Sequence, residues 1–103
     1  MPSISHFNIY KPADPCTLTG EKLRETMDKI VSEALSPNGS EFNLKGYCIG
    51  LNGMGFFVDD ERLSKVKRMN LGGNRIGDDG AKLLARSTIF SKLQWLELGG
   101  NDI

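Results

Sequence analysis

Apolar and polar residues alternate over three short segments that begin at Phe42, Met69 and Leu96 and are therefore spaced 27 residues apart. Alternation with a period of two is typical of a short strand that has one buried and one exposed face. The pattern predicts three strands. In the second of them, Met69 should face the core while Arg68 and Asn70 face solvent.

The agreement continues past each strand, because residues 66–76 and 93–103 both follow an LxxLxLxxNxL pattern with Asn74 and Asn101 at the same place. A fixed period of this length is typical of a solenoid, in which each repeat buries its apolar side against its neighbours. An asparagine at the end of a strand can hydrogen-bond the backbone of neighbouring units. We therefore expect both asparagines to be structural.

Two segments carry the apolar spacing of an amphipathic helix. The first is predicted from a cap at Thr19 through about Leu35. The second follows the turn at residues 77–80, where we expect Asp78 to be the N-cap and Asp79 to lie near the positive end of the helix. Its apolar positions are Ala81, Leu84, Ala85 and Ile89.

The start of the chain repeats the pattern once more, since residues 4–9 match residues 66–71. This predicts a further strand, followed by a longer loop around Pro12 and Pro15. The chain is thus predicted to be a single domain over residues 1–103. It would have an irregular N-terminal coil at residues 1–36 and repeats starting near 39, 66 and 93, the last incomplete.

Residues 71–85, LGGNRIGDDGAKLLA, resemble the leucine-rich repeat of the ribonuclease-inhibitor-like class. The match is good over residues 64–103 and loose over residues 4–63, where Tyr47 stands in the asparagine position. The resemblance implies an α/β fold: a short leucine-rich-repeat solenoid, or horseshoe segment, of about three to four coils. Parallel β-strands would line its concave side and α-helices its convex side. It also implies protein binding across the concave face and no catalytic residues, and some members are effectors that intracellular bacteria deliver into host cells.

The composition narrows the choice of partner. Thirteen basic and thirteen acidic residues cancel, so nucleic acid and anionic membranes are not expected partners.

The first residues lack the features of a secretory signal. Cys16 and Cys48 have no CxxC spacing, so no metal or cofactor is expected, and we interpret them as reduced thiols in a cytoplasmic protein. The glycines of residues 50–55 lack the lysine of a phosphate-binding loop and indicate a turn into a helix.

The residues expected to contact a protein partner are the outward positions of the four strands. Trp95 is the strongest candidate, because exposed tryptophan is enriched at interface hot spots. The alternative is structural, with Trp95 packed against Arg68 of the neighbouring strand as a cation–π pair. The full set is His6, Asn8, Tyr10, Glu41, Asn43, Lys45, Arg68, Asn70, Trp95 and Glu97.

The last repeat predicts a second surface, an unpaired apolar edge formed by Leu93, Leu96, Leu98 and Ile103. Either a second copy covers this edge and forms a homodimer, or the chain is a piece of a longer repeat array. An enzymatic function is the least favoured hypothesis, because His6 is the only histidine and has no acid or nucleophile in a recognised catalytic arrangement. The sequence therefore predicts a non-enzymatic protein-interaction module, with self-association or truncation as the alternative.

Overall fold

The computed structural model describes residues 14–103. Within these residues, three α-helices and three short β-strands alternate. Their bounds are α1 Gly20–Ala34, β1 Glu41–Asn43, α2 Gly50–Phe57, β2 Arg68–Asn70, α3 Gly77–Arg86 and β3 Trp95–Glu97, with single 3₁₀ turns at Pro15–Thr17 and Glu61–Leu63.

The strands form one parallel sheet in the order β1-β2-β3. Phe42 pairs with Met69, and Met69 pairs with Leu96, so the 27-residue spacing of the sequence is also the register of the sheet. Phe42 and Met69 are buried on the helix side, while Glu41 and Arg68 are exposed on the other. The predicted alternation of the second strand is therefore confirmed.

The predicted solenoid of three to four coils is wrong. The described residues form a small α/β fold with three helices and a three-stranded parallel sheet that does not curl into a solenoid. Only β1 and β2 are followed by a helix within residues 14–103, so there are two complete strand–loop–helix units. The curvature of a solenoid accumulates over many stacked units, and so few cannot produce it. The strand predicted at residues 4–9 lies outside the described residues.

The core lies between the sheet and the helices. The amphipathic pattern of the first helix is confirmed, because Leu23, Met27, Ile30 and Val31 are buried. The Phe57 ring at the end of α2 contacts two other aromatic rings of this core. Its centroid lies 5.7 Å from that of Phe42 and 6.4 Å from that of Phe90, and both contacts are edge to face.

Helix α3 begins two residues earlier than predicted. Its N-cap is Ile76, and Asp78 and Asp79 lie in the first turn, so the prediction of Asp78 as N-cap is wrong. Two glycines allow this earlier start. Gly77 takes a left-handed φ of 65°, and a Cβ on Gly80 would lie only 2.6 Å from the Cβ of Ile76.

Asn74 and Asn101 hold the units together from within, as predicted. The buried Asn74 amide donates to the carbonyls of Leu44 at 2.8 Å and Leu71 at 2.9 Å, and its Oδ1 accepts from the Ile49 N–H at 3.1 Å. In the next unit, Asn101 Oδ1 accepts from the Asn74 N–H at 2.8 Å. Each asparagine therefore satisfies backbone groups of its own unit and of the preceding unit.

We predict that Asn74→Ala lowers the free energy of unfolding by about 3 kcal/mol, because it leaves several buried backbone groups without a hydrogen-bond partner. Urea denaturation followed by circular dichroism measures the change. The matched control is Asn52→Ala, whose amide is exposed and makes one long bond of 3.4 Å to Leu18. Equal stability of the two variants would contradict a structural role for Asn74.

A polar cluster fixes the turn after α2. Asp60 Oδ1 accepts from the Arg62 N–H at 2.9 Å, and the Arg62 guanidinium reaches back to Asp60 at 2.7 Å. The same guanidinium lies 3.0 Å from Asp28 and 3.1 Å from Ser32 Oγ, both on α1. The side-chain hydrogen bonds from Arg62 lower the pKa of Asp60, against a smaller opposing effect of partial burial.

Because the pKa of Asp60 is lower in the folded chain, its charged form contributes stability above the pKa of an unfolded aspartate, about 4. This contribution is lost as the pH falls through the folded-state pKa. We predict that Asp60→Asn costs about 1 kcal/mol at pH 7 and nothing in strong acid. Urea titrations at a series of pH values test this, with the exposed neighbour substituted in Asp59→Asn as the control. A pH-independent difference would contradict the prediction.

Candidate protein-binding face

The exposed face of the sheet carries the predicted partner-binding residues in two rows. Parallel register aligns Glu41 with Arg68 and Arg68 with Trp95. It aligns Asn43, Asn70 and Glu97 in the same way to form the second row. Lys45 is exposed two residues beyond Asn43. His6, Asn8 and Tyr10 lie outside the described residues.

Arg68 and Trp95 form the central feature of the strand face, which is this exposed face of the sheet. The guanidinium carbon of Arg68 lies 4.7 Å from the centroid of the Trp95 ring, which is cation–π geometry. The structural pairing considered from the sequence is therefore present. The Trp95 side chain nevertheless remains 40% exposed, so the pairing orients the ring without removing it from solvent.

The second row has a feature that sequence reasoning missed. Asn43 Oδ1 accepts from the Lys45 N–H at 3.1 Å, Asn70 Oδ1 from the Gly72 N–H at 2.9 Å, and Glu97 Oε1 from the Gly99 N–H at 2.7 Å. Each side chain folds back on its own strand and fixes its rotamer. A polar residue followed two positions later by glycine is the signal that could have revealed two of these bonds.

The glycines whose N–H groups donate two of these bonds leave room for the side chains that accept them. A Cβ on Gly72 would lie 3.1 Å from Asn70 Oδ1, and one on Gly99 would lie 2.9 Å from Glu97 Oε1. Both glycines line a shallow depression of about 380 Å³, together with Lys45 and Glu97. A second depression of about 200 Å³ lies against β1 and includes Glu41 and Arg68. Trp95 and Asn70 line both depressions.

The residues predicted to form an apolar edge lie beside this face. Leu96 is 37% exposed and Ile103 is 63% exposed, whereas Leu93 and Leu98 are half-buried. All four belong to β3 or to the segments that flank it, at the end of the sheet where no further strand is present among residues 14–103.

Cys16 and Cys48 are paired in a disulfide, so the prediction of reduced thiols is wrong. Their Cα atoms are 5.6 Å apart, and the Cys16 N–H donates to the Cys48 carbonyl at 2.8 Å. Sequence spacing could not show this, because the two residues are 32 positions apart and meet only when the Pro15–Thr17 turn packs against the loop before α2.

Within the described part of the chain, no group of three or more histidine, cysteine, aspartate or glutamate residues is arranged to hold a metal ion. In the same part, no helix is both long enough and apolar enough to cross a membrane. The prediction that the chain is not an enzyme stays a prediction.

No protein-family model, curated protein or solved structure matches this chain. The resemblance to leucine-rich repeats therefore depends only on the repeated residues of the sequence.

We predict that replacing both cysteines in a Cys16→Ser, Cys48→Ser variant lowers the free energy of unfolding by about 3–4 kcal/mol, as expected for a closed loop of this length. Urea denaturation of the wild-type chain with and without a reductant gives an independent measurement. A reductant that leaves the wild-type midpoint unchanged, with the thiols shown to be free, would contradict this stabilising role.

Proposed function

We propose that the chain is a non-enzymatic protein-interaction module that binds a protein partner through the strand face. The observation that carries the proposal is the exposed Trp95 ring held in place by Arg68 at the junction of two depressions. Large aromatic and arginine side chains that are fixed before binding cost little entropy to immobilise, which favours them as interface anchors.

The charges of the strand face indicate the chemistry of the partner. Lys45 and Arg68 are basic, whereas Glu41 and Glu97 are acidic, and all four are exposed. A partner that places an acidic side chain near Lys45 and a basic one near Glu97 would match this arrangement. The formal net charge of zero favours a protein over nucleic acid or an anionic membrane.

The relation to leucine-rich-repeat proteins is part of this proposal. It is supported by the two occurrences of the LxxLxLxxNxL pattern and by the asparagine contacts that recur with it. Within that class, concave-face binding is the common mode, and the strand face is the corresponding surface here.

A cytoplasmic location, including delivery into a host cell, stays a prediction. The Cys16–Cys48 disulfide weighs against it, because disulfides persist mainly in oxidising compartments. Alkylation of free thiols in freshly lysed cells, followed by mass spectrometry, reports the state of this pair directly. Fully alkylated cysteines would favour the cytoplasm.

We predict that Trp95→Ala combined with Arg68→Ala weakens partner binding by about 30-fold or more, the effect of losing a hot spot of about 2 kcal/mol. Partners are first captured from a lysate on the wild-type chain and identified. Binding of the purified partner is then measured by the fluorescence of Trp95, the only tryptophan of the chain, and by calorimetry for the variants.

The matched control is Phe56→Ala combined with Arg86→Ala, which removes another aromatic and arginine from the helix side. Phe56 is 41% exposed, nearly the same as Trp95. If the control variant loses the partner and the strand-face variant retains it, binding occurs on the helices and the proposal fails.

A further inference from the structure

The backbone groups by which β2 pairs with β3 have equivalents on the outer edge of β3. The Lys67 carbonyl accepts from the Trp95 N–H at 3.0 Å, and the Leu71 N–H donates to the Glu97 carbonyl at 2.9 Å. One unit later, Gln94 and Leu98 occupy the places of Lys67 and Leu71. Their corresponding carbonyl and N–H, together with both backbone groups of Leu96, therefore face away from β2.

The exposure of the apolar side chains also differs between the second and the third unit. In the second unit the apolar positions are no more than 2% exposed: Val66, Met69, Leu71 and Ile76. Their equivalents in the third unit are Leu93, Leu96, Leu98 and Ile103, of which Leu96 is 37% and Ile103 63% exposed. The identical positions are buried only where another strand covers them.

The opposite edge of the sheet is closed. The Glu41 carbonyl accepts from the Ser36 N–H at 2.8 Å, and the Glu41 N–H donates to Ser36 Oγ at 3.0 Å. Leu35 forms an antiparallel bridge with Phe42 at the same place. The β1 edge of one copy therefore cannot extend the sheet at β3 of another, and among the strand edges of residues 14–103 the edge of β3 itself is the complementary one.

We propose that two copies of the chain associate through an antiparallel pairing of their β3 strands across a two-fold axis at Leu96. In this register Leu96 exchanges two hydrogen bonds with Leu96 of the second copy, and each Leu98 N–H donates to the Gln94 carbonyl of the other. The apolar side chains around the two strands then cover each other on the helix side of the joined sheet.

The charges of the strand face are compatible with this register. Trp95 lies opposite Glu97 of the second copy, so the row across the joined sheet reads Arg68, Trp95, Glu97 and places no like charges opposite each other. A shift that centres the axis on Glu97 would instead place two carboxylates directly opposite each other. Each Glu97 is already fixed by its bond of 2.7 Å to the Gly99 N–H.

The test is analytical ultracentrifugation of the full chain over a range of concentrations. We expect a monomer–dimer equilibrium, with a dissociation constant of roughly 1–100 µM, because each copy contributes one short strand and the residues that flank it. Leu96→Lys should weaken dimerisation about tenfold or more, since a lysine on an edge opposes strand pairing. Leu51→Lys is the matched control, as Leu51 is 44% exposed on α2, away from this edge.

Hydrogen exchange keeps the proposal testable if Leu96→Lys unfolds the chain. In the wild-type protein the Leu96 and Leu98 amides should be protected at high concentration and lose this protection on dilution. A chain that stays monomeric throughout would overturn the proposal. It would also be overturned by a dimer that dissociates with Leu51→Lys instead, or by oligomers that grow beyond two copies.

Discussion

The structure depends on the need to satisfy buried backbone groups between neighbouring units. Asn74 and Asn101 are almost fully buried, and each donates its amide to a carbonyl of the preceding unit as well as to its own. A buried amide or carbonyl without a partner is costly, so the units must stack in one register. That register aligns the strands, and the alignment places Arg68 beside Trp95. The proposed binding face is thus a consequence of the asparagine contacts behind it.

The strand face and the outer edge of β3 differ in how strongly the fold determines them. On the face, the fold-back bonds of Asn43, Asn70 and Glu97 and the Arg68–Trp95 contact fix side chains before any partner arrives. At the edge, no strand among residues 14–103 pairs with the outer side of β3, and the apolar residues there are exposed for the same reason. Rigid, mixed polar and aromatic surfaces suit selective recognition, whereas an open strand suits pairing through the backbone.

The sequence predicted the features that repeat every 27 residues, because periodicity reports burial directly. The strand positions, the buried face with Met69 and the role of Asn74 all follow from that period. The larger shape did not follow, since local patterns do not show whether enough units stack to produce curvature. The Cys16–Cys48 pairing was missed because it joins segments distant in sequence. The start of α3 was misplaced because Gly77 allows a backbone conformation that the capping argument for Asp78 did not consider.

The asparagine contacts also bear on how the chain folds. The bonds that join one unit to the next span between 25 and 30 residues of sequence. A unit on its own cannot satisfy these groups, so no single strand–loop–helix segment has a complete set of partners. A contact between residues far apart in sequence requires a long loop to close before its favourable energy is gained, which slows folding. The smallest segment in which these groups all find partners is therefore a pair of adjacent units docked together.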